Sequence, residues 1–174
     1  RRAIYAERLL TPKGTYRWLL SNISAPGKSV TYSYFKDGPH EVYVDTIAYN
    51  GASIKFYREA RPDPIDQGIG AGMIATRFRL KGIDVTVSGS RARYYKLSYL
   101  VHPDTSRSFL HAVQQFGSDA AVDARGDITN AGTASKLPPL EFKPVPGGVG
   151  AGYWVDEWRN PFPDGKPNLD PPIT

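Results

Sequence analysis

The chain of 174 residues contains no cysteine and only one methionine. Without cysteine, no disulfide can hold the fold together and no thiolate can bind a metal ion. The sequence also lacks any apolar run that approaches the roughly 20 residues of a membrane-spanning helix. It therefore predicts a fold that is held by side-chain burial and backbone pairing alone, with no membrane span.

The beginning of the chain lacks both a methionine and a recognisable signal peptide. The first residues are Arg1-Arg2-Ala3-Ile4, with no apolar core of the kind that directs secretion. We interpret the sequence as an excised or trimmed piece of a larger protein, whose targeting this end does not reveal.

The charge of the chain is mildly basic and has no strong local concentration. The formal net charge is +5 and the isoelectric point about 9.4, and the basic residues are scattered along the sequence. A nucleic-acid-binding protein usually gathers its cations on one face or in one stripe. The pattern favours an ordinary solvated surface and predicts no nucleic-acid partner.

Tyrosine, glycine and proline are abundant. The chain has 11 Tyr, 17 Gly and 15 Pro. Tyrosine, together with valine, isoleucine and threonine, suits a pleated, half-buried surface, whereas glycine and proline mark turns. The composition predicts an all-β fold, an antiparallel meander of paired strands and hairpins.

Alternating apolar residues locate the strands, and turn dipeptides separate them. The strongest hairpin signal is Asn50-Gly51, because both positions of the favoured turn need a positive φ. Ser88-Gly89 and Pro26-Gly27 predict two more turns. The predicted strands are 15–23, 30–34, 42–49, 53–58, 73–80, 83–87 and 93–100. The stretch 109–116 fits helix and strand periodicity, and we interpret it as a strand.

The remaining segments are predicted to be irregular. Residues 59–72 and 117–136 are rich in turn-forming or small polar residues and predict loops, while 137–142 predicts an extended segment. We divide the chain into a β-sheet segment, 1–143, and an extended Pro/Gly-rich tail or linker, 144–174. Tyr153, Trp154 and Trp158 in this tail form a candidate docking or binding surface.

The order of these motifs resembles a known family. The motifs lie at 17–23, 30–34, 47–51, 54–63 (IKFYREARPD), 79–85 (RLKGIDV), 93–99, 106–117 and 137–142. This order, over residues 15–143, is similar to the segment beyond the N-terminal virulence-B domain in insecticidal toxin complex B components, virulence-plasmid B proteins and Rhs-type shell proteins. Arg58 departs from the family pattern, which has tyrosine there, and 24–28 departs from its usual turn.

The resemblance implies a structural role. Proteins of this family wrap long β-sheets into a hollow shell around a toxic domain, which carries the enzymatic activity. It implies a non-catalytic segment, secreted or extracellular, whose partner is the remainder of its own larger chain or a toxin-complex subunit. The calcium-binding propeller repeats of the family are not expected here, because the acids of the tail (Asp156, Glu157, Asp164 and Asp170) lack their spacing.

Several clusters of polar residues are candidates for catalytic or ligand-binding sites. None of them predicts catalysis, a cofactor or a metal. His40, His102 and His111 lack metal-ligand spacing. The acids Glu59, Asp63 and Asp66 lie beside Arg58 and Arg61, which favours a salt-bridged loop that pins two strands over an acid–base pair.

Three loop motifs and one strand offer further candidates. Asp119, Asp123 and Asp127 are too widely spaced for a calcium loop, Arg125-Gly126-Asp127 is attributed to chance, and 68–72 is read as a flexible turn rather than a phosphate loop. On strand 93–100, alternation predicts that Tyr95, Leu97 and Tyr99 face the core while Tyr94, Lys96 and Ser98 face outward.

The function that these features predict is a scaffold segment of a toxin-encapsulating Rhs-type shell. The alternative is an independent β-sandwich that binds carbohydrate through exposed tyrosine and tryptophan side chains.

Overall fold

The computed structural model describes residues 1–11, 13–39, 41–68, 72–102 and 105–143. These residues form nine strands and no helix. The strands are β1 (Arg2–Thr11), β2 (Gly14–Ala25), β3 (Lys28–Asp37), β4 (Glu41–Tyr49), β5 (Ala52–Gly68), β6 (Met73–Val87), β7 (Ser90–Val101), β8 (Ser108–Phe116) and β9 (Leu140–Glu141). They lie in one sheet in sequence order, and the described pairs are antiparallel, which confirms the predicted all-β meander.

The predicted hairpin turns are present. Asn50 and Gly51 have φ values of 43° and 76°, and Ser88 and Gly89 have values of 51° and 78°. Both turns therefore place two successive residues in the left-handed region, as a tight two-residue turn between twisted strands requires. Gly27, after Pro26, also has a positive φ of 70°.

The predicted loop at 59–72 is wrong over most of its length. Strand β5 continues to Gly68, and its last residues pair with β6. The pairing skips between Ala60 and Ile65, so Pro62 and Pro64 lie where no ladder hydrogen bond is required of them. The prolines that suggested a loop mark an interruption inside a long strand.

Four further segments test the sequence interpretation: two of them differ from it and two match it. Residues 2–11, to which no strand was assigned, form β1 against β2. The break predicted near Lys81 and Gly82 is a bulge within the single strand β6, since the register with β5 shifts there. The ambiguous stretch 109–116 is confirmed as a strand, and 117–136 is confirmed as a loop without named strands.

The two ends of the sheet are built differently. At the end that holds the turns at 26–27, 50–51 and 88–89, which we call the turn end, backbone pairing runs continuously from β2 to β8. At the other end, which we call the open end, the described residues 14–21 of β2 pair only with β1, and the described residues 56–68 of β5 pair only with β6. The two strands that each turn joins therefore part as they leave it, and the sheet continues as the separate hairpins β1–β2, β3–β4, β5–β6 and β7–β8.

Tyrosine hydroxyls connect the hairpins where the ladder stops. Tyr34 on β3 donates to the carbonyl of Leu20 on β2 at 2.7 Å, and Tyr99 on β7 donates to the carbonyl of Leu80 on β6 at 2.6 Å. The hydroxyl oxygen of Tyr43 on β4 accepts hydrogen bonds from two backbone N–H groups of β6, at 3.0 and 3.2 Å. Backbone groups that have lost a strand partner are satisfied by side chains instead.

Among the described residues, the buried apolar cluster is small. It consists of Tyr94, Phe116, Ala120 and Ala134, and the last two come from the 117–136 loop. Leu9, Leu19 and Ile74 are buried outside this cluster. Residues Arg1–Phe142 form one compact unit. The predicted arm 144–174 lies outside the described residues, so the division after residue 143 stays a prediction.

Candidate functional site: the apolar face of the sheet

The register sorts the side chains of the turn end onto two faces, because directly paired residues lie on the same side of a sheet. One side carries apolar rows, and we call it the apolar face. Its rows are Val30–Tyr49–Ala52–Val87, Tyr32–Ile47–Ile54–Val85 and Phe56–Ile83–Tyr95. The second row continues to Arg93 on β7 and the third to Gln115 on β8, where their apolar part ends.

None of these side chains is buried. Tyr49 and Val87 remain 43% and 50% exposed, and the others are partly exposed. A continuous apolar surface of this kind on a folded chain marks a contact with another surface. The apolar face is therefore the candidate functional site.

The opposite side of the same strands, which we call the polar face, carries hydroxyl, amide and charged residues. Its rows are Thr31–Ala48–Ser53–Thr86–Arg91 and Ser33–Thr46–Lys55–Asp84–Tyr94–Phe116. The 117–136 loop packs on the second row. The one part of the polar face that carries large aromatic side chains is thus covered by the chain itself.

The 117–136 loop packs over Tyr94, which is 0% exposed. The Tyr94 hydroxyl donates a hydrogen bond to the Gly126 carbonyl at 2.5 Å. Gly126, at φ 80°, lies directly against the ring of Tyr57, and a methyl group at Gly82 would overlap the Tyr94 side chain. Burial raises the pKa of Tyr94, so the hydroxyl stays protonated and able to donate.

A buried ion pair fixes the other end of the loop. Arg91 binds Asp84 through two parallel hydrogen bonds of 2.8 Å and donates from its remaining nitrogen to the Ala120 carbonyl. Hydrogen bonding to Asp84 raises the pKa of Arg91. Because Asp84 is only 5% exposed, this pairing satisfies a charge that burial alone would disfavour.

The structure corrects the predicted orientation of strand β7. Tyr94, predicted to face outward, is the most buried large side chain among the described residues, whereas Tyr95, predicted to face the core, lies on the apolar face and is partly exposed. Both faces of β7 carry aromatics, and periodicity does not say which face the distant loop covers.

The predicted cluster of acids and arginines is present, but on strand β5 rather than in a loop. Asp63 binds Arg61 at 3.0 Å and accepts hydrogen bonds from the backbone N–H of Ser108, at 2.9 Å, and from its hydroxyl. Hydrogen bonds from Arg61 and Ser108 hold the pKa of Asp63 well below its usual range. The carboxylate thereby ties β5 to β8, while Glu59 pairs with Arg79 at 2.7 Å.

The loop acids serve as local hydrogen-bond acceptors. Asp119 accepts from the Ser135 N–H and hydroxyl, and Asp123 accepts from the N–H groups of Arg125 and Asp127. These hydrogen bonds lower the pKa of both carboxyls. In the Arg125-Gly126-Asp127 tripeptide, the glycine is buried and Asp127 binds Lys81 at 2.6 Å.

Other sequence candidates fall partly or wholly outside the described residues. Tyr153, Trp154 and Trp158, His40 and most of 68–72 lie there. In the described part of the chain, no group of three or more His, Asp or Glu side chains has the geometry to hold a metal ion. The same residues include no helix long and apolar enough to cross a membrane.

Sequence reasoning missed the apolar face as a single surface, because its rows depend on the register of the five strands β3 to β7. It also missed the bridging tyrosine hydroxyls, for which the high tyrosine content was the one available signal. Comparison of the chain with family models, with curated proteins and with solved structures gave no match.

Proposed function

We propose that this chain is a non-catalytic structural segment of a toxin-encapsulating Rhs-type shell protein. The observation that carries the proposal is the apolar face, whose rows cross β3 to β7 while the chain's own buried cluster is small. A sheet of this kind is stable as part of a larger wall, in which a neighbouring layer covers the rows.

The open end supports the same role. Its hairpins are held side by side by tyrosine hydroxyls and by ion pairs such as Lys36–Glu7 at 2.7 Å. Hairpins joined in this way extend a sheet without closing it, which a shell built from many such units requires. The sheet edge of β1 has no strand beyond it among the described residues, so a further strand has room to pair there.

The polar groups that lie close together are engaged with one another. Asp84 is paired with Arg91, Asp63 with Arg61 and Ser108, and Asp45 with Lys55 and Arg58. Such fixed pairs hold strands in position, which suits a scaffold. In the proposed assembly, the partner is the remainder of a larger secreted chain or a toxin-complex subunit.

The test is a photo-crosslinking comparison in a parent protein that contains this segment. A benzophenone amino acid at Val87, on the apolar face, is expected to capture another part of the same assembly. The matched control is the same label at Thr31, on the polar face, where little or no crosslinking is expected. A Val87 label that forms no crosslink would contradict the proposal.

The alternative, a β-sandwich carbohydrate-binding module, has less support. The described strands form one sheet rather than two packed sheets. Its predicted binding aromatics, Tyr153, Trp154 and Trp158, lie outside the described residues. Reproducible glycan binding that Trp154→Ala abolishes would favour this alternative over a scaffold alone.

A further inference from the structure

A groove of about 480 Å³ opens between β5, β6 and the tip of the 117–136 loop. Four cations line it together with one carboxylate, Glu59, and with aromatic side chains that include Phe35, Tyr57 and Phe78. The cations are Lys55, Arg58, Lys81 and Arg125. Its volume lies within the range of small-molecule sites.

The cations of the groove outnumber the carboxylates that form ion pairs with them. Asp45 is shared by Lys55 and Arg58, at 2.6 and 3.1 Å, and Asp127 binds Lys81 at 2.6 Å. Glu59 is matched by Arg79. Four lining cations thus face two paired carboxylates, and within the described residues Arg125 forms no ion pair of its own, although its charge helps to lower the pKa of Asp123.

Hydrogen-bond donors remain available in the groove. Arg58 is held with its guanidinium carbon 4.1 Å from the centre of the Phe35 ring, and its hydrogen bonds to Asp45 and to the Phe56 carbonyl, within the described residues, use one of its three nitrogens. Hydrogen bonds from Lys55 and Arg58 lower the pKa of Asp45 despite its partial burial, so this carboxylate stays charged and keeps Arg58 in place. A pre-oriented guanidinium is the preferred partner of a planar carboxylate.

The rest of the lining narrows the ligand class. Glu59 is 34% exposed, and a carboxylate in the wall accepts hydrogen bonds from hydroxyl groups, which favours a ligand that carries hydroxyls beside its anionic group. The aromatic rings offer apolar surface to the C–H face of a ring. We propose that this groove binds an acidic sugar, with the carboxylate of a hexuronate on Arg58 and Arg125 and its hydroxyls toward Glu59 and Lys55.

The experiment titrates the whole chain with D-glucuronate and follows binding by calorimetry and by ligand-observed NMR. D-Glucose supplies the ring without the carboxylate, and sodium acetate supplies the carboxylate without the ring. Glucuronate is expected to bind about tenfold more tightly than either, because a charge-assisted hydrogen bond contributes on the order of a factor of ten or more in affinity. Equal binding of glucose or acetate overturns the proposal, as does the absence of glucuronate binding.

Variants locate the site. Arg125→Ala removes an exposed cation and is expected to weaken glucuronate binding about tenfold. Arg93→Ala is the matched control, since Arg93 is also exposed but pairs with Val85 in a row of the apolar face, and it should leave the affinity unchanged. Equal losses in both variants would mean a general charge effect and overturn the site.

Two competitors decide between ligand classes. If sodium sulfate displaces glucuronate at equal concentration, the groove binds any anion and does not recognise the sugar. An acidic hexapeptide that binds more tightly than glucuronate would assign the groove to a polypeptide partner. Either result overturns the sugar proposal without affecting the proposed scaffold role, which the crosslink at Val87 tests separately.

Discussion

The turn end and the open end of this sheet are held together by different means. At the turn end, adjacent strands share a backbone ladder, and a loop buries Tyr94 against Phe116, Ala120 and Ala134. At the open end the ladders between hairpins stop, and individual side chains such as Tyr34, Tyr43 and Tyr99 take their place. Packing under a covering loop secures the first region. The second combines separate hydrogen bonds with ring contacts among Phe35, Tyr43 and Phe78.

This difference predicts that the free energy of unfolding lost on mutation falls from the turn end of the sheet to the open end. Removing a buried aromatic side chain loses many packing contacts at once, whereas removing one hydroxyl loses a single hydrogen bond. Substitutions at the turn end are therefore expected to cost several times more free energy of unfolding than substitutions at the open end.

The largest effect is expected for Tyr94→Ala, which empties the space that the loop covers. We expect a loss of about 3 to 5 kcal/mol in the free energy of unfolding, measured by urea denaturation. The matched control is Tyr95→Ala, the adjacent residue on the apolar face, for which about 1 kcal/mol is expected. Equal losses would mean that the loop contributes no packing of its own.

A smaller effect is expected for Gly82→Ala, because the added methyl group overlaps the Tyr94 side chain. Overpacking of this kind costs about 1 to 3 kcal/mol. In the Tyr94→Leu background, which lacks the overlapping ring and hydroxyl, the cost of Gly82→Ala should fall. A double-mutant cycle with no coupling between the two sites would contradict the packing described here.

How far the sequence predicts this fold depends on the range of the interactions. The turns at Asn50-Gly51 and Ser88-Gly89 were predictable, since each is set by two neighbouring residues and a positive φ. The orientation of Tyr94 was not, because it depends on Gly126, 32 residues away, closing over it. The continuation of β5 past Pro62 was also hidden, since the skipped pairing there depends on β6.

The candidate site was less predictable than the strands. Each apolar row joins residues from three or more strands, so its composition depends on the register of all of them. The same limit applies to the groove, which brings Arg58 and Arg125 together from β5 and a distant loop. The tail residues Tyr153, Trp154 and Trp158, predicted as a binding surface, remain a prediction.

At the open end, Asp63 joins β5 to β8 through its hydrogen bonds with Ser108, and we call this contact the Asp63 clamp. It predicts that the free energy of unfolding depends on pH. The folded state lowers the pKa of Asp63, so its contribution is complete above the unfolded-state value of about 4 and is lost as the pH falls toward the lower folded-state value. Asp63→Asn is expected to be less stable than the wild type at neutral pH, and the gap should narrow as the pH falls below about 4. Asp66→Asn, an exposed residue of the same strand, should show little change at any pH.

Constant destabilisation of Asp63→Asn from neutral to acidic pH would contradict the clamp. Urea midpoints at several pH values make this comparison directly. Because both variants remove one negative charge from β5, their difference isolates the hydrogen bonds to Arg61 and Ser108 from the change in net charge.

The smallest effect is expected for Tyr99→Phe, which removes only the hydroxyl that bonds the Leu80 carbonyl. The ring stays, and with it the Arg79 guanidinium 4.2 Å from its centre, so the substitution isolates one hydrogen bond. A loss of about 1 kcal/mol is expected. Tyr95→Phe, on the same strand but without a described hydroxyl partner, should cost less.

The same pair of variants tests whether the two ends are held independently. If tyrosine hydroxyls replace the missing ladder, amide hydrogen exchange in Tyr99→Phe should accelerate at residues 78–81 and 97–101 and stay unchanged at 84–87 and 90–94. Acceleration over both sets would mean that the ends open as one unit. The gradient would then reflect global stability, and the distinction between a laddered and a side-chain-bridged end would be lost.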